Sequence, residues 1–184
     1  TIVIDTDIKK VVWGAQGRKK EVLNTYYEAL GPKNCEEIES VALDGARTYI
    51  SSTQAYALKA LIVYDKFHVA QKLSRAVDAT RKSEFRKARD EKRIDHMELM
   101  GSKQRFILLK NRANLTERQS EHLKRLCEIN EPIYKAMLLK ESFQEVYLQN
   151  TAEDARRCLE VWIEQALVSG LEAFRVLAES FREK

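Results

Sequence analysis

Apolar and polar positions alternate at short range over the first 65 residues, then settle into a longer helical rhythm. Thr1 to Asp5 is β-branched and apolar, Thr6 to Lys10 is a polar turn, and Val11-Val12-Trp13 is apolar again. That pattern predicts an antiparallel hairpin, broken by Gly14 and Gly17. From Arg18 to Leu30 the residues Val22, Leu23, Tyr26, Tyr27 and Leu30 recur at helical spacing, and Gly31-Pro32 stops the helix. Ile38 to Leu43 reads as a short strand ending in Asp44-Gly45. Tyr49 to Lys59 reads as a second helix, and Ala60 to Tyr64 as a buried strand ending in Asp65. Strand, strand, helix, strand, helix, strand predicts an α/β sheet with parallel crossovers after an antiparallel start.

After Asp65 almost no strand pattern remains. One amphipathic segment runs from Phe67 to about Arg93, with Phe67, Ala70, Leu73 and Val77 on one stripe. Met97 to Lys110 forms another, interrupted near Gly101-Ser102, and Asn111 to Asn114 is a loop. Thr116-Glu117-Arg118-Gln119 has the form of a capping box, in which the Thr hydroxyl and the Gln side chain satisfy each other's backbone N–H groups. Glu131-Pro132 opens a helix reaching about Gln149, and Thr151 caps a last segment whose stripe includes Leu159, Trp162, Ala166, Leu167, Phe174, Leu177 and Phe181. The chain therefore divides into a partial α/β core over residues 1–65 and an all-helical block over 66–184. No repeat of fixed period runs through it.

Only 6 Gly and 2 Pro among 184 residues leave little room for a turn-rich all-β design. No apolar run approaches the roughly 20 residues that span a bilayer, and no signal-peptide pattern opens the chain, so no membrane partner is expected. Cys35, Cys127 and Cys158 are scattered without metal-ligand spacing, as in proteins of a reducing cytoplasm. The chain opens within a strand-like run and without Met, which reads as an internal piece of a longer protein. Net charge is +4, but residues 66–112 hold 14 Lys/Arg against 6 Asp/Glu while both flanks are slightly acidic. A basic middle of this kind suits an anionic partner, most commonly nucleic acid.

Four groups of residues carry candidate chemistry. Asp44 ends a strand and precedes Gly, so its carboxylate is expected at the carboxyl edge of the sheet, where it could bind a hard cation such as Mg²⁺. An ordinary Asp-Gly turn is the alternative. Asp65 and His68 could share that edge and help hold metal or phosphate. Equally, Asp65 could cap the long helix with His68 in its first turn. Asp5 and Asp7 suit turn chemistry, with Asp5 kept open as a metal partner of Asp44 from a neighbouring strand. In the run from Arg81 to Arg89, the residues Arg81, Lys82, Arg86, Lys87 and Arg89 could neutralise DNA phosphates or simply form a solvated helix face. There is no phosphate-binding Gly loop and no Ser-His-Asp, Cys-His or His-pair signature.

These residues also carry a resemblance. Thr1 to Asp7, Val11-Val12-Trp13, Gly17-Arg18 and the helix ending Leu30-Gly31-Pro32 resemble the second and third strands and following helix of DDE transposases in the ISL-three group of bacterial insertion sequences. Val41-Ala42-Leu43-Asp44 with Tyr49-Ile50 resembles that family's second catalytic strand, and Ile62-Val63-Tyr64-Asp65-Lys66-Phe67-His68-Val69 its D-x-F-H segment. Gly101-Ser102, Arg105, Leu109-Lys110-Asn111 and Asn114-Leu115-Thr116 resemble its helical region. Gly45-Ala46-Arg47 departs from the family's bulkier stretch.

The resemblance implies a ribonuclease H-like mixed sheet, incomplete here, followed by a helical insertion. It makes Asp44 the second carboxylate of an Asp-Asp-Glu triad whose first Asp lies on a preceding strand and whose Glu lies beyond Lys184. The piece alone would then be inactive. In the complete protein it implies two Mg²⁺ ions about 4 Å apart, cutting at transposon ends and joining the freed 3′-hydroxyl to target DNA. It leaves a homo-oligomer open. Two rivals stand beside it: a catalytically idle relative that binds DNA or protein, and another ribonuclease H-like nuclease such as a junction resolvase.

Overall fold

The computed structural model describes residues 1–182, and its contacts divide the chain into two compact units, Thr1–Val69 and Ala70–Lys184. In the first unit, β1 (Ile2–Asp5) and β2 (Lys10–Gly14) form the expected antiparallel hairpin. Its turn is closed by Asp5, whose Oδ1 accepts the N–H groups of Asp7 and Ile8 at 3.0 and 3.1 Å. Helix α1 (Lys20–Leu30) ends at Gly31, whose φ of 81° suits a residue without Cβ. Pro32 then does two jobs: it ends one helix and begins another, the short α2 (Pro32–Glu36), because a fixed φ and a missing N–H are no handicap at a first turn. Strand β3 (Ser40–Leu43), helix α3 (Arg47–Tyr56) and strand β4 (Leu61–Tyr64) follow as a βαβ unit with β3 and β4 parallel.

Leu23, Tyr27, Cys35 and Ala57 make the core of this unit, ringed by Val3, Tyr26, Leu30, Ile38, Tyr49, Tyr56 and Ala60. Helices α1 and α3 meet through small polar residues: Ser52 donates to Asn24 Oδ1 at 2.7 Å, and the Tyr27 and Thr53 hydroxyls are 2.9 Å apart. Ser52 and Thr53 are fully buried, and each has a partner, so their burial carries no unsatisfied polar group. The hairpin is tied to α3 by the Thr1 and Tyr49 hydroxyls at 2.8 Å.

One expectation changes form. Among the described residues the four strands make two separate ladders, β1–β2 and β3–β4, and β1 does not pair with β3. Each of β1, β3 and β4 alternates exposed and half-buried residues, as strands covered by helices on one face do.

Helix α4 (Lys66–Asp90) continues through the second unit, followed by α5 (Ile94–Met100), α6 (Arg105–Leu109), α7 (Glu117–Ile129), α8 (Glu131–Ser142), α9 (Ala152–Val168) and α10 (Glu172–Arg182), with 3₁₀ turns over Ser102–Gln104, Arg112–Asn114 and Phe143–Leu148. The capping box forms as the sequence predicts, Thr116 with Gln119. Trp162 sits at the centre of an aromatic cluster, 4.8 Å from Phe143 and 6.0 Å from Phe181 by ring centroids, and its Nε1 donates to the Leu139 carbonyl at 2.7 Å. Where the pattern predicts one helix to about Gln149, α8 stops at Ser142 and a 3₁₀ turn carries Phe143 into that cluster. Among the described residues no helix is long and apolar enough to cross a membrane.

Candidate functional site

The parallel ladder pairs Ser40, Val41, Ala42 and Leu43 with Leu61, Ile62, Val63 and Tyr64. Asp44 and Asp65 are the next residues on each strand, so they leave the same carboxyl edge as neighbours. Adjacent strands are about 5 Å apart. Parity places them in one row as well: Ser40, Ala42, Leu61 and Val63 are exposed, Val41, Leu43, Ile62 and Tyr64 are half-buried, and Asp44, exposed, and Asp65, half-buried, follow the outward row.

Asp44 is exposed, and its Oδ1 accepts the Ala46 N–H at 2.9 Å. Gly45 between them has φ of 84°, a left-handed conformation that costs glycine nothing. The turn reading of Asp44 is therefore met, and it leaves the carboxylate open to the other. It closes an Asp-Gly turn with one oxygen, and the carboxylate still faces solvent at the strand end.

Asp65 is the N-cap of α4. Its Oδ1 accepts the His68 N–H at 3.1 Å, the expected bond from the third helical residue. That N–H does most to hold the Asp65 carboxyl below the ordinary range; partial burial opposes it, and the Phe67 N–H and the His68 ring reinforce it. His68 Nδ1 lies 3.3 Å from Asp65 Oδ1 yet is shielded from solvent without the alignment of a hydrogen bond, so the contact is one of charge when the ring is protonated. Asp65 and His68 thus stand together at the start of α4, with Asp44 ending the strand next to that of Asp65.

Asp5 does not join them, because its strand pairs only with β2 among the described residues and its Oδ1 is spent on the hairpin turn. No group of three or more His, Cys, Asp or Glu side chains converges among the described residues.

The basic run along α4 is not one surface. A helix turns 100° per residue, so Arg81, Glu84 and Ala88 face inward while Lys82, Arg86 and Arg89 face out. Arg81 is a correction to the set of DNA-contact candidates. It is 6% exposed, donating to Asp78 Oδ1 at 2.9 Å and to the Met100 carbonyl at 2.7 Å, and it holds α4 to α5. Lys87 is exposed on the flank and pairs with the buried Glu84 at 2.7 Å. Arg75, outside the run in sequence, is exposed on the same side as Lys82, Arg86 and Arg89. Its seven-residue spacing to Lys82 was the available signal.

A cavity of about 470 Å³ opens in the helical unit, lined by Arg112, Leu115, Leu123, Lys124, Cys127 and Tyr134 among others. None of the candidate residues lines it.

Comparison with known proteins matches the sequence to a family. The profile of the ISL3-group DDE family, described as Transposase, matches residues 1–184. The transposase for insertion sequence element IS1001 of Bordetella parapertussis is 31% identical over 186 residues, covering 99% of this chain and 44% of that protein. The transposase for insertion sequence element IS1557 of Mycobacterium tuberculosis is 29% identical over 198 residues, covering 97% of this chain and again 44% of the relative. The chain therefore spans less than half the length of the curated relatives it matches. No solved structure matches it.

Proposed function

The chain belongs to the ISL3-group family of DDE transposases, and we propose that in the protein carrying it Asp44 is one of the carboxylates that cut DNA at the ends of an insertion sequence. The observation that supports this is the register of β3 and β4, which sets Asp44 and Asp65 side by side on the outward row of a parallel sheet edge. Ligands of open α/β sheets gather at that edge.

The donors fit Mg²⁺, which takes carboxylate oxygens and keeps open positions for water and phosphate. Asp44 would hold the ion, with Asp65 on the neighbouring strand as a further carboxylate of the site. When bound, the metal supplies charge neutralisation at the scissile phosphate and a water acidic enough to attack it. A two-metal site needs more carboxylates than this chain brings together. The family pattern supplies them from a first Asp and a final Glu elsewhere in the protein. Pairing a further strand against both β1 and β3 would merge the two ladders into one ribonuclease H-like mixed sheet and set that first Asp beside Asp44.

His68 would donate a hydrogen bond from its ring to a phosphate oxygen, with Asp65 fixing the backbone that carries it. Residues 66–184 then serve as the helical insertion, meeting transposon-end and target DNA through α4. Such work places the protein in the bacterial cytoplasm.

The test is Asp44→Asn in the full-length protein, assayed for Mg²⁺-dependent cleavage and for binding of duplex ends. Cleavage is expected to fall about a hundred- to a thousandfold, roughly what loss of a charge-stabilising group at a reacting centre costs, while end binding stays within a few fold. Cleavage retained at the wild-type rate would leave Asp44 as a turn residue and favour a catalytically idle sheet.

A further inference from the structure

The outer face of α4 is a straight row of cations. Taking Arg75 as reference, Ala79, Lys82, Arg86 and Arg89 all fall within about 40° of one line down the helix. From Arg75 to Arg89 the row runs about 21 Å, the length of about six base-pair steps. The opposite face is anchored: Leu73, Ala76, Val77, Thr80, Arg81, Glu84 and Ala88 are buried. Carboxylates do not interrupt the row. Asp78 and Glu84 are themselves buried and neutralised by Arg81, Lys82 and Lys87. Among the described residues neither Arg75 nor Arg86 has an ion-pair partner. Arg89 holds only the exposed Asp90, and Lys82 keeps more than half its surface open while touching Asp78. Exposed pairs are worth little, so these contacts exchange readily for phosphate.

We propose that Arg75, Lys82, Arg86 and Arg89 form a docking surface for the phosphate backbone of duplex DNA, an inference that rests on the transposase reading and names where the duplex lies. The helix is rigid and the row regular, which suits the even charge of a duplex. The outer row itself offers no aromatic ring for stacking on unpaired bases and no Asn or Gln for reading adenine edges; its one uncharged member is Ala79, and Phe85 lies half-buried about 80° off the line. Binding here adds affinity without sequence preference, so the recognition of transposon ends resides on other surfaces of the protein.

The experiment compares the full-length protein with its R75Q/K82Q/R86Q/R89Q variant on random-sequence and transposon-end duplexes across a salt series, with helicity checked by circular dichroism. Each phosphate contact contributes about 0.9 to the slope of log affinity against log salt. The variant is expected to lose about 3.6 from that slope and to bind both duplexes at least about 100-fold more weakly near 0.1 M salt. R75K/R86K/R89K should bind within a few fold of wild type. If the quadruple variant does not fold, R75Q and R86Q alone, each removing one exposed charge, should each lower the slope by about 0.9. Unchanged slope and affinity in a folded variant overturn the surface while leaving cleavage by the wild-type protein, and so the transposase reading, intact. A wild-type protein that binds neither duplex overturns both.

Discussion

The backbone N–H of Asp65 donates to the Leu43 carbonyl at 2.8 Å, one step past the last register pair of the parallel ladder. This bond keeps β3 and β4 in step to their ends. A slip of one residue would turn one strand's exposed row toward the helices, and the two aspartates would part. The register is held from the other face, where Val41, Leu43, Ile62 and Tyr64 pack inward. Site geometry in this unit is thus a consequence of core packing on the opposite side of the sheet.

Gly45 is the hinge on which Asp44 turns. Its φ of 84° would cost alanine about 1–2 kcal/mol. Gly45→Ala is expected to lower Tm by several degrees and to reduce cleavage by moving the carboxylate, whereas Gly45→Asn, which tolerates that conformation better, should do less harm. Thermal melts and cleavage assays on the two variants check this. Equal Tm and equal activity for Gly45→Ala would show that the turn does not hold Asp44 in place.

Asp65 has two separable roles, a helix cap and a negative charge beside Asp44. Asn caps as well as Asp, so Asp65→Asn should keep the stability of α4, while Asp65→Ala should lose about 1 kcal/mol. If the charge matters to the site, both variants lose cleavage. If only the cap matters, Asp65→Asn stays active. The pH dependence has a fixed sign: a carboxyl held low in the folded state contributes stability above its ordinary range and loses it as pH falls through the lowered value. Denaturant melts from about pH 4 downward should therefore show a steeper loss for the wild type than for Asp65→Asn.

The hairpin, the βαβ unit, the Thr116 capping box and the place of Asp44 and Asp65 at strand ends were all legible in the sequence, because each is set by local pattern. What was not legible depended on long-range partners. Whether four strands form one ladder or two is decided by what pairs with β1 and β3, which no local pattern encodes. Arg81 looks like part of a surface run because charge in sequence does not reveal helix phase; only the buried Asp78 and the Met100 carbonyl make its burial affordable. Asn130 likewise gave no signal in a charged stretch. Its Oδ1 caps α8 through the Ile133 N–H at 2.9 Å, while its amide donates to Glu84 at 3.1 Å.

The Asp78–Arg81 pair is the electrostatic lock of the helical unit. Both side chains are 7% exposed. Burial pushes the Asp78 carboxyl up, but hydrogen bonds from Lys82 and Arg81 and the charges of Arg81 and Arg105 outweigh it and hold the group below the usual range. Asp78→Ala strands a buried guanidinium and should cost about 3–5 kcal/mol. A replacement of both residues, Asp78→Leu with Arg81→Met, should cost much less, since removing a buried pair together leaves no orphan charge. Chemical denaturation of the three proteins tests the order. A double variant less stable than Asp78→Ala would mean the pair is worth more than its desolvation.

Lys140 makes the opposite case, a buried cation without a buried carboxylate to balance it. Its Nζ donates to the carbonyls of Leu108 and Lys110, 2.8 and 2.9 Å away, and so closes the carboxyl end of α6 from α8. Burial pushes the amine down to about 8, with the neighbouring Glu141 carboxylate opposing. Both hydrogen bonds survive deprotonation, because a neutral amine still has two N–H groups. The unfolded chain keeps its lysine charged to about pH 10.4. Between those values the unfolded state binds more protons, so this group adds stability as pH rises, by about 1 kcal/mol per unit at most. Near and above pH 9 the thiols of Cys35 and Cys127, pushed up mainly by burial, work in the other direction. The window for Lys140 is therefore pH 8 to 9. Denaturant midpoints there should rise for the wild type relative to Lys140→Met, which is also expected to be less stable at pH 9 because two carbonyls lose their donor. A wild-type midpoint that falls relative to the variant's across the same window would mean the amine stays charged in the folded protein.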